Sequence, residues 1–597
     1  MARPSDSDII KVATTSLDPL PNMFELALVL GGTVSAGAYT AGVLDFLVQA
    51  MDCWSAARAA GQKVPRHKVA LRVVAGTSGG GVNAAVLARA LAYNFPHFSA
   101  DSAMDAGGSG NPFFDTWTAQ IHGAGGATGL RAMLETSDLA STVPSLLSGA
   151  PIDNAAAFAA AFARGSPVRR DWVGRPLGAS AERIDPLHVI LTVTNLRGVP
   201  YRTDFGDGLF QTFVDHADHV RVGVCYPGMA FDALRPDEWA LGFAPLGAAR
   251  ETDWTDFSLF ARATSAFPLG LPARMLTRPV ADYYYRVALV PQEDGTMSVV
   301  PLRPDWSEIP EDPYQFACVD GGATDNEPIE LARTALSGVL GRNPRGGKEA
   351  NRAVLLVDPF AGAAPLGPER AGSMIALAGG LVTGMIQQTR YDSSDLLLAA
   401  APDVYSRFMV TARRESIDKT LTGGDAIASA GLGAFVGFAC ADFMRHDFLL
   451  GRKNCQDFLR ATFVLPEDAD VFQGMWTGVD ASRFRAFAPP GFLPLIPLYG
   501  DADADQGVAP WPVNALDPAT LREPIRARVA RIAEIEADTG FAGALKGWLA
   551  GGLAAGPVAD YAVNAIDKAL RTAADPLLRT APPAATTVAS AGNSGAG

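Results

Sequence analysis

The stretch at residues 71–85 reads LRVVAGTSGGGVNAA and combines an apolar run, a glycine-rich turn and an alanine-rich run. Its first five residues are mostly apolar and predict a short buried strand, and the alanine-rich residues from Val82 onward predict a helix. Between them, Gly76-x-Ser78-x-Gly80 is typical of a sharp strand-to-helix turn, which needs glycines on either side of one exposed serine. Such a turn aims the hydroxyl at the helix N-terminus, where free N–H groups favour negative charge. Ser78 is therefore a candidate nucleophile; the alternative is an ordinary serine in a glycine-rich turn.

Composition excludes several classes of protein. The chain has 597 residues, of which 48% are hydrophobic, so it is long enough for two or more domains with large cores. Five scattered cysteines without a CxxC pair argue against a disulfide framework or a structural zinc site, and no metal or cofactor is expected. A formal net charge of −14 argues against nucleic acid as a partner and against nonspecific adsorption to anionic lipid.

The N-terminal third of the sequence alternates between strands and helices. Residues 24–30 predict a strand, residues 31–37 form a glycine-containing loop, and residues 38–51 have apolar side chains at helical spacing. Residues 71–92 repeat this order, which predicts a mainly parallel sheet covered by helices on both faces. Residues 188–194 predict a further strand, with residues 199–205 pairing to it across a turn at Arg197-Gly198.

Changes in composition suggest the domain organisation. We expect a flexible leader at 1–24, an α/β domain at 25–360 with an insertion around 100–180, a mainly helical region at 361–573 and a disordered tail at 574–597. Residues 353–358 are the last expected strand of the sheet. The polar, proline-containing N-terminus does not resemble a secretory signal, so a cytoplasmic location is expected. No uninterrupted run of about 18 apolar residues occurs, and membrane contact, if any, would be peripheral.

A serine nucleophile needs donors for an oxyanion. Gly31 and Gly32 end the first strand and open the first helix, so their N–H groups are expected at the carboxyl edge of the sheet, where open α/β sheets bind ligands. The N–H of Gly79, directly after the nucleophile, can add another donor. An ordinary tight turn or a phosphate cradle is the alternative interpretation of the Gly31-Gly32 pair.

The nucleophile also needs a base. Asp320 follows the apolar residues 316–319 and precedes Gly321 and Gly322, which allow the backbone to approach closely. An aspartate near Ser78 could take its proton directly, provided that an apolar setting raises its pKa. Alternatively, Asp320 only begins a turn and caps the next helix.

Four blocks of the sequence, in order, resemble patatin-like phospholipases. They are the glycine loop at 31–44, the turn from Gly76 to Gly80, residues 261–268, and Asp320-Gly321-Gly322. The resemblance covers about residues 25–360. It implies a three-layer α/β/α fold and a lipid acyl hydrolase that needs no cofactor and acts on a lipid substrate.

The resemblance also assigns roles to individual residues. It implies that Ser78 is the nucleophile, that Asp320 is the general base, and that Gly31, Gly32 and Thr33 belong to the oxyanion loop. The loop departs from the family pattern, because Thr33 and Val34 replace glycines and Ala36 replaces an arginine. The missing arginine puts the binding of an anionic headgroup in doubt.

Two other functions stay open from the sequence. An α/β-hydrolase triad of Ser78, Asp320 and His446 has a possible chain order. The altered glycine loop also allows a lipid-binding protein that kept the fold without catalysis. The sequence gives no acyl chain, headgroup, regioselectivity or oligomeric state.

Overall fold

A computed structural model describes most of the chain. It covers residues 3–102, 108–123, 129–178, 182–309, 311–360, 393–415, 420–507, 509–536 and 555–573, together with 377, 380, 381, 384 and 387–390. The tail predicted to be disordered, residues 574–597, lies outside the described residues.

The strands of the described residues are β1 (Met23–Leu30), β2 (Lys68–Gly76), β3 (Leu187–Gly206), β4 (Leu209–Cys225), β5 (Trp239–Gly242), β6 (Glu251–Thr252), β7 (Arg274–Arg278), β8 (Val287–Pro291), β9 (Met297–Pro301), β10 (Tyr314–Asp320), β11 (Arg352–Val357), β12 (Arg407–Val410), β13 (Arg413–Glu415), β14 (Thr420–Thr422), β15 (Val464–Pro466) and β16 (Phe492–Pro494). The central sheet has the order β12-β11-β1-β2-β3-β4-β5-β6, and β10 pairs with both β3 and β7.

The helices of the same residues are α1 (Asp6–Thr14), α2 (Gly37–Ala59), α3 (Gly79–Ala90), α4 (Pro112–Trp117), α5 (Ala119–His122), α6 (Gly129–Met133), α7 (Ala150–Ala161), α8 (Trp254–Thr264), α9 (Ile329–Ser337), α10 (Ser393–Ala400), α11 (Gly431–Ala434), α12 (Ala441–Ala461), α13 (Ser482–Arg485), α14 (Arg522–Glu536) and α15 (Ala555–Ala573). None of these helices is long and apolar enough to cross a membrane.

Neighbouring strands of the sheet centre run parallel, and their carboxyl ends align. Leu30 of β1 pairs with Gly76 of β2 and with Val357 of β11, and Gly76 also pairs with Leu191 of β3. Side chains alternate between the two faces, so that one set packs on α9 and the other joins the main core. The predicted three-layer α/β/α fold with a mainly parallel sheet is therefore confirmed.

The predicted turn at Arg197-Gly198 is wrong. β3 continues through these residues and pairs antiparallel with β4, which begins only at Leu209. The register shifts between Thr194 and Val199, and Gly198 has a φ of +73°. The glycine therefore serves a bulge inside one long strand, not a reversal of the chain.

Two further expectations from the sequence need correction. Residues 6–14, placed in a flexible leader, form α1, whose N-terminus is capped by Ser5 and whose Ile9 is buried. The sheet also does not end at residue 358, because β12 pairs parallel with β11. The expected boundary after residue 360 thus falls between two neighbouring strands of one sheet.

Helix α12 packs directly on α2 through glycines. A Cβ on Gly42 of α2 would lie 1.9 Å from the carbonyl oxygen of Phe448, and a Cβ on Gly451 of α12 would lie 2.1 Å from that of Tyr39. Only glycine permits such an approach of two helix backbones. Arg452 of α12 adds buried hydrogen bonds to Asp45 and Gln49 of α2.

Candidate active site

Ser78 lies at the strained corner between β2 and α3. Its φ of +56° is rare for a residue with a side chain, and its N–H donates to Thr264 Oγ1 over 3.0 Å. A Cβ on Gly76 would lie 2.8 Å from the carbonyl oxygen of Gly80, and one on Gly80 would lie 2.2 Å from that of Leu30. Both motif glycines are thus required by close backbone packing, as expected of this turn.

Asp320 reaches the same edge of the sheet from the opposite direction. It ends β10, which runs antiparallel to β3 and places Asp320 opposite Val193. Its N–H donates to the carbonyl oxygen of Ala266, and its Oδ1 accepts the N–H of Gly322 over 2.8 Å. A Cβ on Gly321 would lie 2.1 Å from Thr192 Oγ1, which explains the first glycine after the aspartate.

The carboxyl group of Asp320 is buried beside the hydroxyl of Ser78. Burial raises the pKa of Asp320 from 3.8 to about 6, and the Ser78 hydroxyl and the Gly322 N–H oppose this rise. No hydrogen bond of standard geometry joins the two side chains, and Oδ2 has no partner within the described part of the chain. The two residues are therefore neighbours whose hydrogen bond is not fully formed, as is common in ligand-free active sites.

Asn326 connects these two residues with the glycine loop. A Cβ built on Gly32 would lie 2.2 Å from Asn326 Oδ1 and 3.3 Å from Ser78 Cβ. A Cβ built on Gly322 would lie 2.4 Å from the same Oδ1. Asn326 Nδ2 donates to Glu327 Oε1 over 2.7 Å. The sequence interpretation missed this residue, although it follows Asp320-Gly321-Gly322 by only four positions.

Of the oxyanion donors predicted from the sequence, Gly31 and Gly32 have engaged N–H groups, whereas Thr33 and Gly79 do not. The N–H of Gly31 donates to Val357 O over 3.2 Å, so its expected role as an oxyanion donor is corrected. The N–H of Gly32 is also engaged, over 3.3 Å with Asn326 O. In contrast, no acceptor within the described residues takes the N–H groups of Thr33, Val34 or Gly79. These three donors can therefore serve an incoming anion.

Thr33 also lies against the nucleophile's helix. A Cβ on Gly79 would lie 2.5 Å from Thr33 Oγ1, and this buried hydroxyl has no hydrogen-bond partner among the residues that the structure describes. The threonine that replaces a family glycine thus adds a fourth polar group close to Ser78.

An apolar cavity of about 30 Å³ adjoins Ser78. Its wall includes Trp117, Ile121, Ile152, Phe267, Leu271 and Phe438. Helices α4, α5 and α7, which lie in the range 100–180 where the sequence predicts an insertion, supply part of this wall. The volume holds about one water molecule, which is far below the size of an acyl chain.

The C-terminal region completes the site. Phe438 lines the cavity, and Ser35 Oγ in the glycine loop donates to the carbonyl oxygen of Ala434. A Cβ on Gly437 would lie 2.3 Å from Ser35 Oγ. Residues beyond 361 therefore hold the loop next to the nucleophile.

A buried charge cluster lies beneath the loop. Glu327 Oε1 accepts from Arg390 Nε over 3.2 Å, and Arg390 also bonds Asp358 Oδ2 over 2.5 Å. Burial and the neighbouring Asp358 raise the pKa of Glu327, and Arg390 opposes this effect. A Cβ on Gly31 would be 3.5 Å from Glu327 Cγ, so this cluster supports the loop. Within the described residues, no group of side chains is suited to hold a metal ion.

The alternative triad with His446 is wrong. Both nitrogens of this buried imidazole are engaged elsewhere: Nδ1 with Asp447 Oδ1 at 2.7 Å and Nε2 with Arg414 at 2.6 Å. Burial lowers the pKa of His446. The histidine therefore belongs to a structural network and does not contact Asp320.

Comparison with known proteins identifies the family of the chain. The profile of the family described as patatin-like phospholipase matches residues 28–333, more than half of the chain. The chain belongs to the patatin-like phospholipase family. It is 30% identical over 564 residues to the protein y4iI of Sinorhizobium fredii (strain NBRC 101917 / NGR234), described as uncharacterized, covering 87% of this chain and 77% of that protein.

Among solved structures, the chain has a remote likeness to VipD from Legionella pneumophila. The TM-score is 0.21 at 9% sequence identity, and the match covers 94% of this chain and 90% of that one. A score this low carries no argument about function. The family assignment therefore rests on the sequence match, and it makes the chain a member of a hydrolase family.

Proposed function

We propose that this patatin-like protein is a lipid acyl hydrolase that cleaves carboxylic esters through a Ser78–Asp320 dyad. The observation that carries the proposal is the buried carboxyl group of Asp320, with its pKa near 6, beside a serine at a positive-φ turn. At neutral pH such a carboxylate is ionised and basic enough to accept a proton. The apolar cavity next to Ser78 supports a lipid as the acyl donor.

The chemistry proceeds in two halves. As Ser78 Oγ bonds to the carbonyl carbon, its proton passes to Asp320, and the carbonyl oxygen becomes an oxyanion. The N–H groups of Thr33, Val34 and Gly79, which have no acceptor among the described residues, are the candidates to stabilise it. The alcohol then leaves with the proton from Asp320, and an acyl-enzyme stays on Ser78.

Water completes the cycle. Asp320 accepts a proton from a water molecule, whose oxygen attacks the acyl carbon. When the bond to Ser78 breaks, the serine oxygen recovers this proton and the carboxylic acid is released. The same carboxylate therefore serves both halves, so that no histidine is needed.

Covalent labelling tests the proposal. A fluorophosphonate should label the wild type and fail to label Ser78→Ala or Asp320→Asn. Ser265→Ala is the matched control, because Ser265 lines the same cavity but donates its hydroxyl to the Ala261 carbonyl. Failure to label a correctly folded wild type would favour the non-catalytic lipid-binding alternative. A mass-spectrometric screen against mixed lipids then identifies the ester.

A further inference from the structure

Two chain segments, one of which lines the Ser78 cavity, are joined by backbone hydrogen bonds. Residues 143–147 and 267–271, together called the cap, are joined by hydrogen bonds from Leu146 N to Leu269 O at 2.9 Å and from Leu147 N to Gly270 O at 3.0 Å. Phe267 and Leu271 of the cap line the cavity from within. The cap therefore forms part of the cavity wall beside the buried Ser78.

The outer surface of the cap is apolar. Leu269 is 71% exposed and Leu146 is 56% exposed, whereas such side chains are usually buried. The sequence has no charged residue between Asp138 and Asp153, nor any between Arg262 and Arg274. Leu269 also has a φ of +64°, a strained conformation for a leucine.

Ion pairs fix the borders of this uncharged surface. Arg274 bonds Asp153 over 2.5 Å at one border. At the other, buried Arg528 of α14 bonds Asp138 over 2.7 Å and donates to the carbonyl oxygen of Leu146 over 2.6 Å. The C-terminal region thus holds the cap in place. An exposed apolar surface with a polar border is typical of an interaction site.

The size of the cavity and the charge of the chain identify the partner. The cavity of about 30 Å³ is well below the roughly 300–1,000 Å³ of a ligand site, so the cap must move before a chain enters. The two leucines cover far less than the about 800 Å² per partner of a stable protein interface. The net charge of −14 opposes attraction to anionic surfaces, which leaves apolar contact.

We propose that the cap docks on the surface of aggregated lipid and that this contact opens the Ser78 cavity. The inference rests on the proposed function, since it concerns how a lipid ester reaches that serine. The leucines enter the apolar layer, and residues 143–147 and 267–271 separate where only two backbone hydrogen bonds join them. When Leu269 moves, its backbone can also leave the strained left-handed conformation.

The test compares vesicle and dissolved substrates. Leu146→Ser/Leu269→Asn removes both exposed leucines, and asparagine tolerates the positive φ at 269. We expect flotation with dioleoylphosphatidylcholine vesicles to be lost. The ratio of vesicle hydrolysis to hydrolysis of dissolved p-nitrophenyl butyrate should fall about tenfold or more. Each single variant is measured as well, in case the double variant folds poorly.

A matched control uses the exposed β8–β9 hairpin. Val290 and Met297, on β8 and β9, are 41% and 42% exposed. Val290→Ser/Met297→Ser should leave flotation and the ratio within about twofold of wild type, because these residues lie outside the cap. Vesicles that contain phosphatidylglycerol should bind no better than phosphatidylcholine vesicles.

The outcomes separate this inference from the proposed function. Unchanged flotation and ratio in the cap variants overturn the docking surface, even if fluorophosphonate labels Ser78. Leucine-dependent flotation without any labelling supports the docking surface and refutes the catalytic proposal. A size-exclusion shift to a smaller species in the cap variants, with flotation unchanged, would assign the leucines to self-association and overturn the inference.

Discussion

Replacement of Asp320 by asparagine should remove activity and stabilise the fold. Burial raises the pKa of this carboxyl from 3.8 to about 6, which means that the folded state disfavours the charged form. Below pH 3.8 the group is neutral in both states, and as the pH rises through 6 the charge must be carried in the folded interior. The difference between the two pKa values corresponds to about 3 kcal/mol.

The asparagine variant carries no charge and avoids this penalty. Its Oδ1 can still accept the Gly322 N–H, so packing is preserved. Urea denaturation should show that the free energy of unfolding of the variant exceeds that of the wild type. The difference should be about 3 kcal/mol at pH 8 and about 1 kcal/mol at pH 4.5. Ester hydrolysis should fall by about 10²–10⁴-fold. In the wild type, kcat/KM should rise with pH, with a midpoint near 6.

Asp325→Asn is the matched control. Burial also raises the pKa of Asp325 to about 6, yet neither Ser78 nor Asp320 contributes to this shift. The control should show the same kind of stabilisation above pH 6 and keep its activity. The reasoning fails if Asp320→Asn retains full hydrolysis, or if its stability relative to wild type does not increase between pH 4.5 and pH 8.

Three further perturbations test the surroundings of the site. His446→Gln should lower the free energy of unfolding by about 1–3 kcal/mol, because buried hydrogen bonds are lost, and it should cause no selective loss of kcat. A loss of kcat equal to that of Ser78→Ala would instead support the triad mechanism. Arg390→Met leaves Glu327 without its cation and should destabilise the fold by about 3 kcal/mol in urea denaturation, whereas adding Glu327→Gln should recover part of that loss. Gly80→Ala should lower stability by about 1–3 kcal/mol and also kcat, because its Cβ would lie 2.2 Å from Leu30 O, and Gly556→Ala, with open space around the Cβ, should do neither.

The sequence predicted the local features of the site but not their spatial partners. The turn at Ser78 depends on glycines that are adjacent in the chain, so its pattern could be recognised directly. The direction of β10 could not, because pairing with β3 joins residues more than a hundred positions apart. The same limit applies to Gly31, whose N–H is used by Val357 on a neighbouring strand.

Glycine was also ambiguous in the sequence. Gly198 suggested a turn, but it occupies a bulge, since both structures need a positive φ and only the pairing partner distinguishes them. Asn326 was missed for a related reason. Its role depends on Gly32 and Gly322 approaching from different loops, which no local spacing predicts.

The glycine contact between α2 and α12 has a consequence for how the protein can be divided. A chain that ended at residue 333, the last family-matched residue, would lack α12. The surface of α2 around Gly42, which packs against the backbone of α12, would then be exposed to solvent. Such a fragment should aggregate rather than work at reduced efficiency. The family-matched part and the region after it are therefore expected to fold as one unit.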